Sequence, residues 1–127
     1  MHRVLISDSI DKIAEKIFEE NNISFDVKTN LSENEIIQII SDYDALVVRS
    51  ATKVTKNIIN KANNLKIIGR AGAGVDNIDI ISAKEKKILV MNTPGGNTNA
   101  TAEHTLTLIL SLIRKIPYAN ITTHNGS

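Results

Sequence analysis

Gly69-Arg70-Ala71-Gly72-Ala73-Gly74-Val75-Asp76-Asn77-Ile78-Asp79 closes an apolar run that begins at Leu65 and opens a segment with helical spacing. A buried strand, a glycine-rich turn and a helix in that order make the repeating unit of a parallel α/β sheet. Two other clusters hold the same place after short apolar runs. Upstream stands Val47-Val48-Arg49-Ser50-Ala51-Thr52-Lys53-Val54, and downstream Met91-Asn92-Thr93-Pro94-Gly95-Gly96-Asn97. If the runs are parallel strands, all three clusters open at one edge of the sheet. Ligands of open α/β sheets bind along that carboxyl edge, where free backbone N–H groups gather. The mixture of glycine, hydroxyl, cation and amide there suggests a pocket for a small anion.

The rest of the chain fits the same alternation. Arg3 to Ser7 reads as a strand, followed by a helix with Ile10, Ile13, Ala14, Ile17 and Phe18 on one face and Asp8 or Ser9 as its cap. Phe25 to Thr29 is a short, half-polar strand suited to a sheet edge. Ser32-Glu33-Asn34-Glu35 has the reciprocal pattern of a capping box, and isoleucines 36, 37, 39 and 40 make the buried stripe behind it. A strand over Asp44 to Val48, a helix over Thr55 to Ala62, a strand over Leu65 to Arg70, a helix over Asn77 to Lys86 and a strand over Ile88 to Asn92 complete the series. Right-handed crossovers then give a flavodoxin-like, doubly wound parallel sheet of five strands in a three-layer sandwich, with strand order 2-1-3-4-5. From about Thr98 to Lys115 a longer helix follows, with Ala102, Leu106, Ile109, Leu110 and Ile113 on one side and Leu108 and Leu112 widening the stripe. It stops at Pro117, and the tail Ala119 to Ser127 is polar and structurally weak.

Composition removes several classes of function. Hydrophobic residues at 42% and charged ones at 23% suit a soluble globular chain, and with aromatics at 3% the core must be aliphatic. A net charge of +1 with dispersed lysines gives no clustered basic face for nucleic acid. Without cysteine there is no disulfide, thiolate metal site or thiol nucleophile, and the three histidines lack ligand spacing. No apolar run approaches membrane length and no signal segment opens the chain, so the cytoplasm is the expected compartment.

The turn at Gly72-Ala73-Gly74 invites a dinucleotide reading, but G-x-G-x-x-G needs glycine where Asn77 stands. The acidic residue expected on the ribose is replaced by Asn92-Thr93. The turn is either a tight strand-to-helix connection or a set of amides that hold a carboxylate or phosphate, aided by Arg49 or Arg70. Arg49, with Ser50 and Thr52 beside it, suits anion capture, or else a surface ion pair. Asn97 in Pro-Gly-Gly-Asn is open to simple turn chemistry. Glu103 and His104 are adjacent on a helix and therefore diverge, so they are no acid–base pair, and His104 reads as a packing or interface residue. A phosphoacceptor receiver shares the topology, yet Arg49 and Asn92 stand where it needs aspartate and lysine.

Taken together, Val4 to Asp8, Val48 to Val54, Gly69 to Asp79, Ile88 to Asn97 and Ala102-Glu103-His104-Thr105 resemble the D-isomer-specific 2-hydroxyacid dehydrogenases. Within that family they look most like the branch acting on 3-phosphoglycerate. The resemblance covers nearly the whole chain in order. It implies a flavodoxin-like substrate-binding domain over residues 1–97, incomplete because its closing helix comes from the far C-terminus. It also implies an interdomain helix and tail over 98–127, crossing toward an NAD-binding Rossmann domain that this sequence lacks. By the same resemblance Arg49 and Ser50 bind the acidic substrate. Arg70 and the amides of Gly72, Ala73 and Gly74 grip its carboxylate, and Asn97 holds it from the turn. Ala73, where the family often has threonine, borders the cofactor through its backbone only. The implied cofactor is NAD and the implied substrate a small anionic 2-hydroxy acid. The implied reaction is oxidation of 3-phosphoglycerate to 3-phosphohydroxypyruvate, which opens serine biosynthesis. The family's catalytic arginine, glutamate and histidine have no counterpart here, so this chain alone is expected to be inactive. A homodimer through the 98–115 helix is expected from the family. A stand-alone anion-binding or dimerisation module is the alternative.

Overall fold

A computed structural model describes residues 2–126. The backbone divides into two compact units, Met1–Pro94 and Gly95–Ser127. In the first unit the elements are β1 (Arg3–Ile6), α1 (Lys12–Glu20), β2 (Ser24–Val27), α2 (Glu33–Ile39), β3 (Ala45–Val48), α3 (Lys56–Lys61), β4 (Ile67–Arg70), α4 (Ile80–Glu85) and β5 (Leu89–Met91). A 3-10 turn over Ile40–Asp42 links α2 to β3. All strand pairs are parallel, in the order β2-β1-β3-β4-β5 that the sequence predicts.

The register explains where the core sits. Leu5 and Leu46 are paired, as are Leu46 and Ile68, and all three point to one face with Val48. That face is closed by Ile36 of α2, Ile58 and Ile59 of α3 and Ala83 of α4, and these side chains are buried. Three successive crossovers run in one direction across the sheet and put α2, α3 and α4 on this side. The β1-to-β2 crossover runs the other way and puts α1, of the four helices of this unit, on the opposite face.

That second face is only partly covered. Val4 and Ile6 are buried there, but Ile67, Leu89 and Met91 are 39%, 55% and 54% exposed. An apolar cavity of about 480 Å³ lies along it, lined by Val4, Phe18, Ile23, Ala45, Val47 and Ile67 among others. Its polar margin is already paired: Asp44 accepts from Lys66 Nζ at 2.8 Å and from the Arg3 amide at 3.0 Å, and His2 lies 3.5 Å away. The Lys66 hydrogen bond, with that of Arg3, holds the Asp44 carboxyl far below its ordinary value.

The expectation for α1 needs correction. Its cap is Asp11, whose side chain accepts from the Ile13 amide at 2.9 Å, and neither Asp8 nor Ser9 serves. Its stripe is not buried, because the open face gives Ile13 and Ile17 little to pack against; they are 62% and 49% exposed. Phe18 does find Phe25 of β2, with ring centroids 5.7 Å apart. The capping box on α2 forms as read: Ser32 Oγ takes the Glu35 amide, and Glu35 Oε2 accepts from the Ser32 amide at 2.8 Å.

In the second unit α5 spans Thr98–Ile113 and α6 spans Ile116–His124. Lys115, at φ 51°, breaks the helix. Pro117 does not merely stop a helix; it sits in the first turn of the next one, where its missing N–H costs nothing. The tail expected to be weak is therefore helical up to His124. Among the described residues, no helix is long and apolar enough to cross a membrane.

Candidate functional site

The carboxyl ends of β2, β1 and β3 meet where strand order changes direction, and a cleft of about 260 Å³ opens there. Open α/β sheets place ligands at this switch point. Asp8, Ser9, Thr29, Asn30, Arg49 and Ser50 line it. A second hollow is lined by Ser9, Asp11, Arg49 and Ala71. Arg49 thus lines two depressions at the sheet edge.

Arg49 follows directly on buried Val48 at the end of β3, and it is exposed. Its Nη1 donates to the Ser9 carbonyl at 3.2 Å. Among the described residues it forms no ion pair, so the surface salt bridge considered from sequence is not formed. Ser50 is exposed beside it, and among the described residues the Ser50 amide meets no acceptor.

Asp8 supports this loop from below. It is only 5% exposed, and its carboxylate accepts from the Arg49 amide at 2.6 Å, from the Thr52 amide at 3.1 Å and from Thr52 Oγ1 at 2.6 Å. Ser7 Oγ donates to Thr52 Oγ1 at 3.1 Å. Burial by itself would raise the Asp8 pKa, but the Thr52 and Arg49 hydrogen bonds outweigh it and hold the carboxyl below its ordinary value. Asp8 is therefore ionised and occupied. It is neither a helix cap nor a free base.

Asn77 holds the loop from the other side. Its Nδ2 donates to the carbonyls of Arg49 at 2.7 Å and Thr52 at 2.6 Å. Its Oδ1 is buried with no partner among the described residues. The position where a dinucleotide fingerprint needs glycine is thus used as a two-pronged donor. This engagement also delays the helix: α4 starts at Ile80, after the Asp79 cap, and not at Asn77.

Arg70 is less available than Arg49. Its side chain is 11% exposed, its Nη1 pairs with Asp76 Oδ1 at 2.7 Å, and its Nε donates to the Arg49 carbonyl at 3.2 Å. The glycines beside it differ in role. A Cβ on Gly74 would lie 2.9 Å from Arg70 Nη1, whereas on Gly72 the nearest atom would be at 3.5 Å. The Gly72 amide already donates to the Arg70 carbonyl at 2.9 Å. Of the three amides expected to hold an anion, those of Ala73 and Gly74 alone meet no acceptor among the described residues. Asn92, which in sequence stands in place of a ribose-binding acid and of a receiver's lysine, donates from Nδ2 to the Ala73 carbonyl at 2.7 Å and steadies this turn. Asn97 belongs to the second unit, where it precedes α5 and makes no side-chain capping bond.

The structure thus brings Arg49, Ser50, Arg70, Gly72, Ala73 and Gly74 to one sheet edge. Sequence reasoning missed the two residues that organise it, Asp8 and Asn77, because their partners lie 25 to 44 positions away.

A parallel five-stranded sheet with this strand order and a cationic switch-point cleft defines a flavodoxin-like α/β domain. The sequence profile of the D-isomer specific 2-hydroxyacid dehydrogenase catalytic domain matches residues 4–125, and the chain belongs to that family. It is 54% identical to D-3-phosphoglycerate dehydrogenase of Synechocystis sp. over 94% of this chain and 22% of that protein. It is 48% identical to the enzyme of the same name from Archaeoglobus fulgidus over 98% of this chain and 24% of that one. The crystal structure of NAD+-bound 3-phosphoglycerate dehydrogenase from Entamoeba histolytica superposes with a TM-score of 0.76 at 32% identity, covering 87% of this chain and 38% of that one. The chain spans about a quarter of the length of the curated relatives it matches.

Proposed function

We propose that this chain is the substrate-recognising part of an NAD-dependent D-2-hydroxyacid dehydrogenase whose substrate is 3-phosphoglycerate. Alone it binds the acid without turning it over. The observation that carries this reading is the Arg49 guanidinium, which stands at the switch-point cleft with no carboxylate partner among the described residues. A planar, permanently charged fork in that position matches a carboxylate or phosphate. Ser50 and the free amides of Ala73 and Gly74 add neutral donors. Arg70 supports Arg49 from behind and reaches a ligand by exchanging Asp76 for it.

Oxidation of a 2-hydroxy acid requires a hydride acceptor, which NAD supplies, and a base for the hydroxyl proton. The described residues do not make a dinucleotide cradle: Asn77 fills the fingerprint's third position and Arg70 fills the space over Gly74. The one contact we assign to NAD is the Ala73 backbone. Asp8, the one acid among the described residues that line the switch-point cleft, is held by the Arg49 and Thr52 amides and the Thr52 hydroxyl, so it is not free to take that proton. The chain therefore contributes binding and orientation.

The test is a titration of 3-phosphoglycerate into the isotopically labelled chain, followed by NMR. Saturable shifts are expected at the Arg49 side chain and at the amides of Ser50, Ala73 and Gly74, with no NADH formed when NAD is added. Absence of any saturable shift, or measurable turnover, overturns the reading.

The second unit favours a further role in homodimerisation. Leu106, Leu110, Leu112, Ile113, Tyr118 and Ile121 are all more than half exposed. Clustered apolar surface of this kind marks an interaction site. Sedimentation over a range of concentrations is expected to show a dimer, and a strict monomer rejects the pairing.

A further inference from the structure

We infer that Asp8, Thr52 and Asn77 are positioning residues that clamp the Arg49–Thr52 loop by both poles of its peptides and so aim Arg49 at the anion. The inference rests on the anion-binding role proposed above. Asp8 takes the N–H groups of Arg49 and Thr52, at 2.6 and 3.1 Å, while Asn77 gives its two N–H bonds to the carbonyls of the same two residues, at 2.7 and 2.6 Å. One group is acceptor-only and the other supplies two donors, so neither can exchange tasks with its neighbour. The Asn77 orientation is fixed by this chemistry: a flipped amide would set its oxygen against two carbonyl oxygens.

The loop otherwise has little to define it. Arg49, Ser50 and Ala51 are exposed, and no apolar side chain among these three anchors them. The buried bracket compensates. Thr52, 8% exposed, adds its hydroxyl to the Asp8 carboxylate at 2.6 Å. Arg70 Nε is the third donor to this loop, on the Arg49 carbonyl at 3.2 Å. The long, flexible Arg49 side chain would lose its bearing if its own peptide planes could rotate, and the bracket prevents that rotation. Asn77 carries a cost for this, because its Oδ1 is left without a partner while buried. A residue kept in place despite an orphaned acceptor is one whose other bonds matter.

The experiment measures dissociation constants for 3-phosphoglycerate and for inorganic phosphate by NMR titration of the whole 127-residue chain, with melting midpoints in parallel. Thr52→Val removes the hydroxyl at nearly constant shape, and Thr52→Ser keeps it. Asn77→Ala removes both donors. Thr52→Val and Asn77→Ala are expected to weaken binding about tenfold or more, with Thr52→Ser within about twofold of wild type. In an Arg49→Ala background, Asn77→Ala is expected to add little further loss, since a clamp that acts through Arg49 has nothing left to aim. A merely structural residue would instead give additive losses. Equal affinities for Thr52→Val, Thr52→Ser and wild type, or additive losses in the double variant, overturn the clamp and leave the anion site standing. A wild-type chain that binds neither anion overturns both.

Discussion

Replacing Arg49 with alanine should separate binding from folding. Among the described residues the side chain makes one exposed hydrogen bond, Nη1 to the Ser9 carbonyl at 3.2 Å. Its loss costs about 0.5 kcal/mol, or roughly 2–4 °C in the melting midpoint for a unit of this size. The Asp8 bracket on the Arg49 backbone amide is untouched by the change. For an anionic ligand the same guanidinium supplies charge-assisted hydrogen bonds of about 1.5–3 kcal/mol, so affinity should fall roughly 10- to 150-fold. Arg49→Lys keeps the charge and loses the fork, and should fall between the two. Calorimetric titration with 3-phosphoglycerate and a thermal melt of each variant give both numbers. Unchanged affinity would refute the reasoning, as would a midpoint that drops with the affinity.

Tyr43, 1% exposed, donates to Asp26 at 2.8 Å, and burial, with the Asp26 bond, pushes its pKa up to about 12. A raised pKa stabilises the fold fully below the ordinary tyrosine value, and that stability is lost as pH rises toward the folded value. Urea melts at about pH 8 and about pH 11 should show a decline that Tyr43→Phe flattens. Gly74→Ala should push Arg70 off Asp76, because the new Cβ lies 2.9 Å from Nη1. The pair is exposed on the Asp76 side, so the cost is about 0–1 kcal/mol, and the check is a moved Arg70 Nε signal with a nearly constant melt.

Features whose chemistry is local were legible in the sequence. The Ser32–Glu35 box needs partners three residues apart, and it forms. The two-sided apolar runs gave a parallel sheet with the right neighbours, since crossover handedness leaves few alternatives. Arg49 was readable as well, because its place follows from the end of β3. What escaped notice spans the fold. Asp8 next to Ser9 offered a plausible cap, and nothing near it shows that amides more than forty positions away outbid the helix for its carboxylate. Asn77 reads in sequence as a missing glycine and the start of a helix, and nothing nearby shows the carbonyls of Arg49 and Thr52 that its amide holds. Ile13 and Ile17 have the period of a buried face, but period cannot tell whether a surface waits to receive them. Sequence alone does not distinguish Arg70 from Arg49; the Asp76 carboxylate paired with Arg70 does.

The bare flank of the sheet has a practical result. Ile67, Leu89 and Met91 stand in a row across β4 and β5, and β5 is a terminal strand whose outer edge has no neighbour in the sheet. Greasy side chains beside an unsatisfied backbone edge are the ingredients of runaway stacking. A preparation of this chain should therefore keep best when dilute and cold-stored with its flank shielded, and a lysine in place of Leu89 should lengthen its shelf life without disturbing the opposite, aliphatic heart of the molecule.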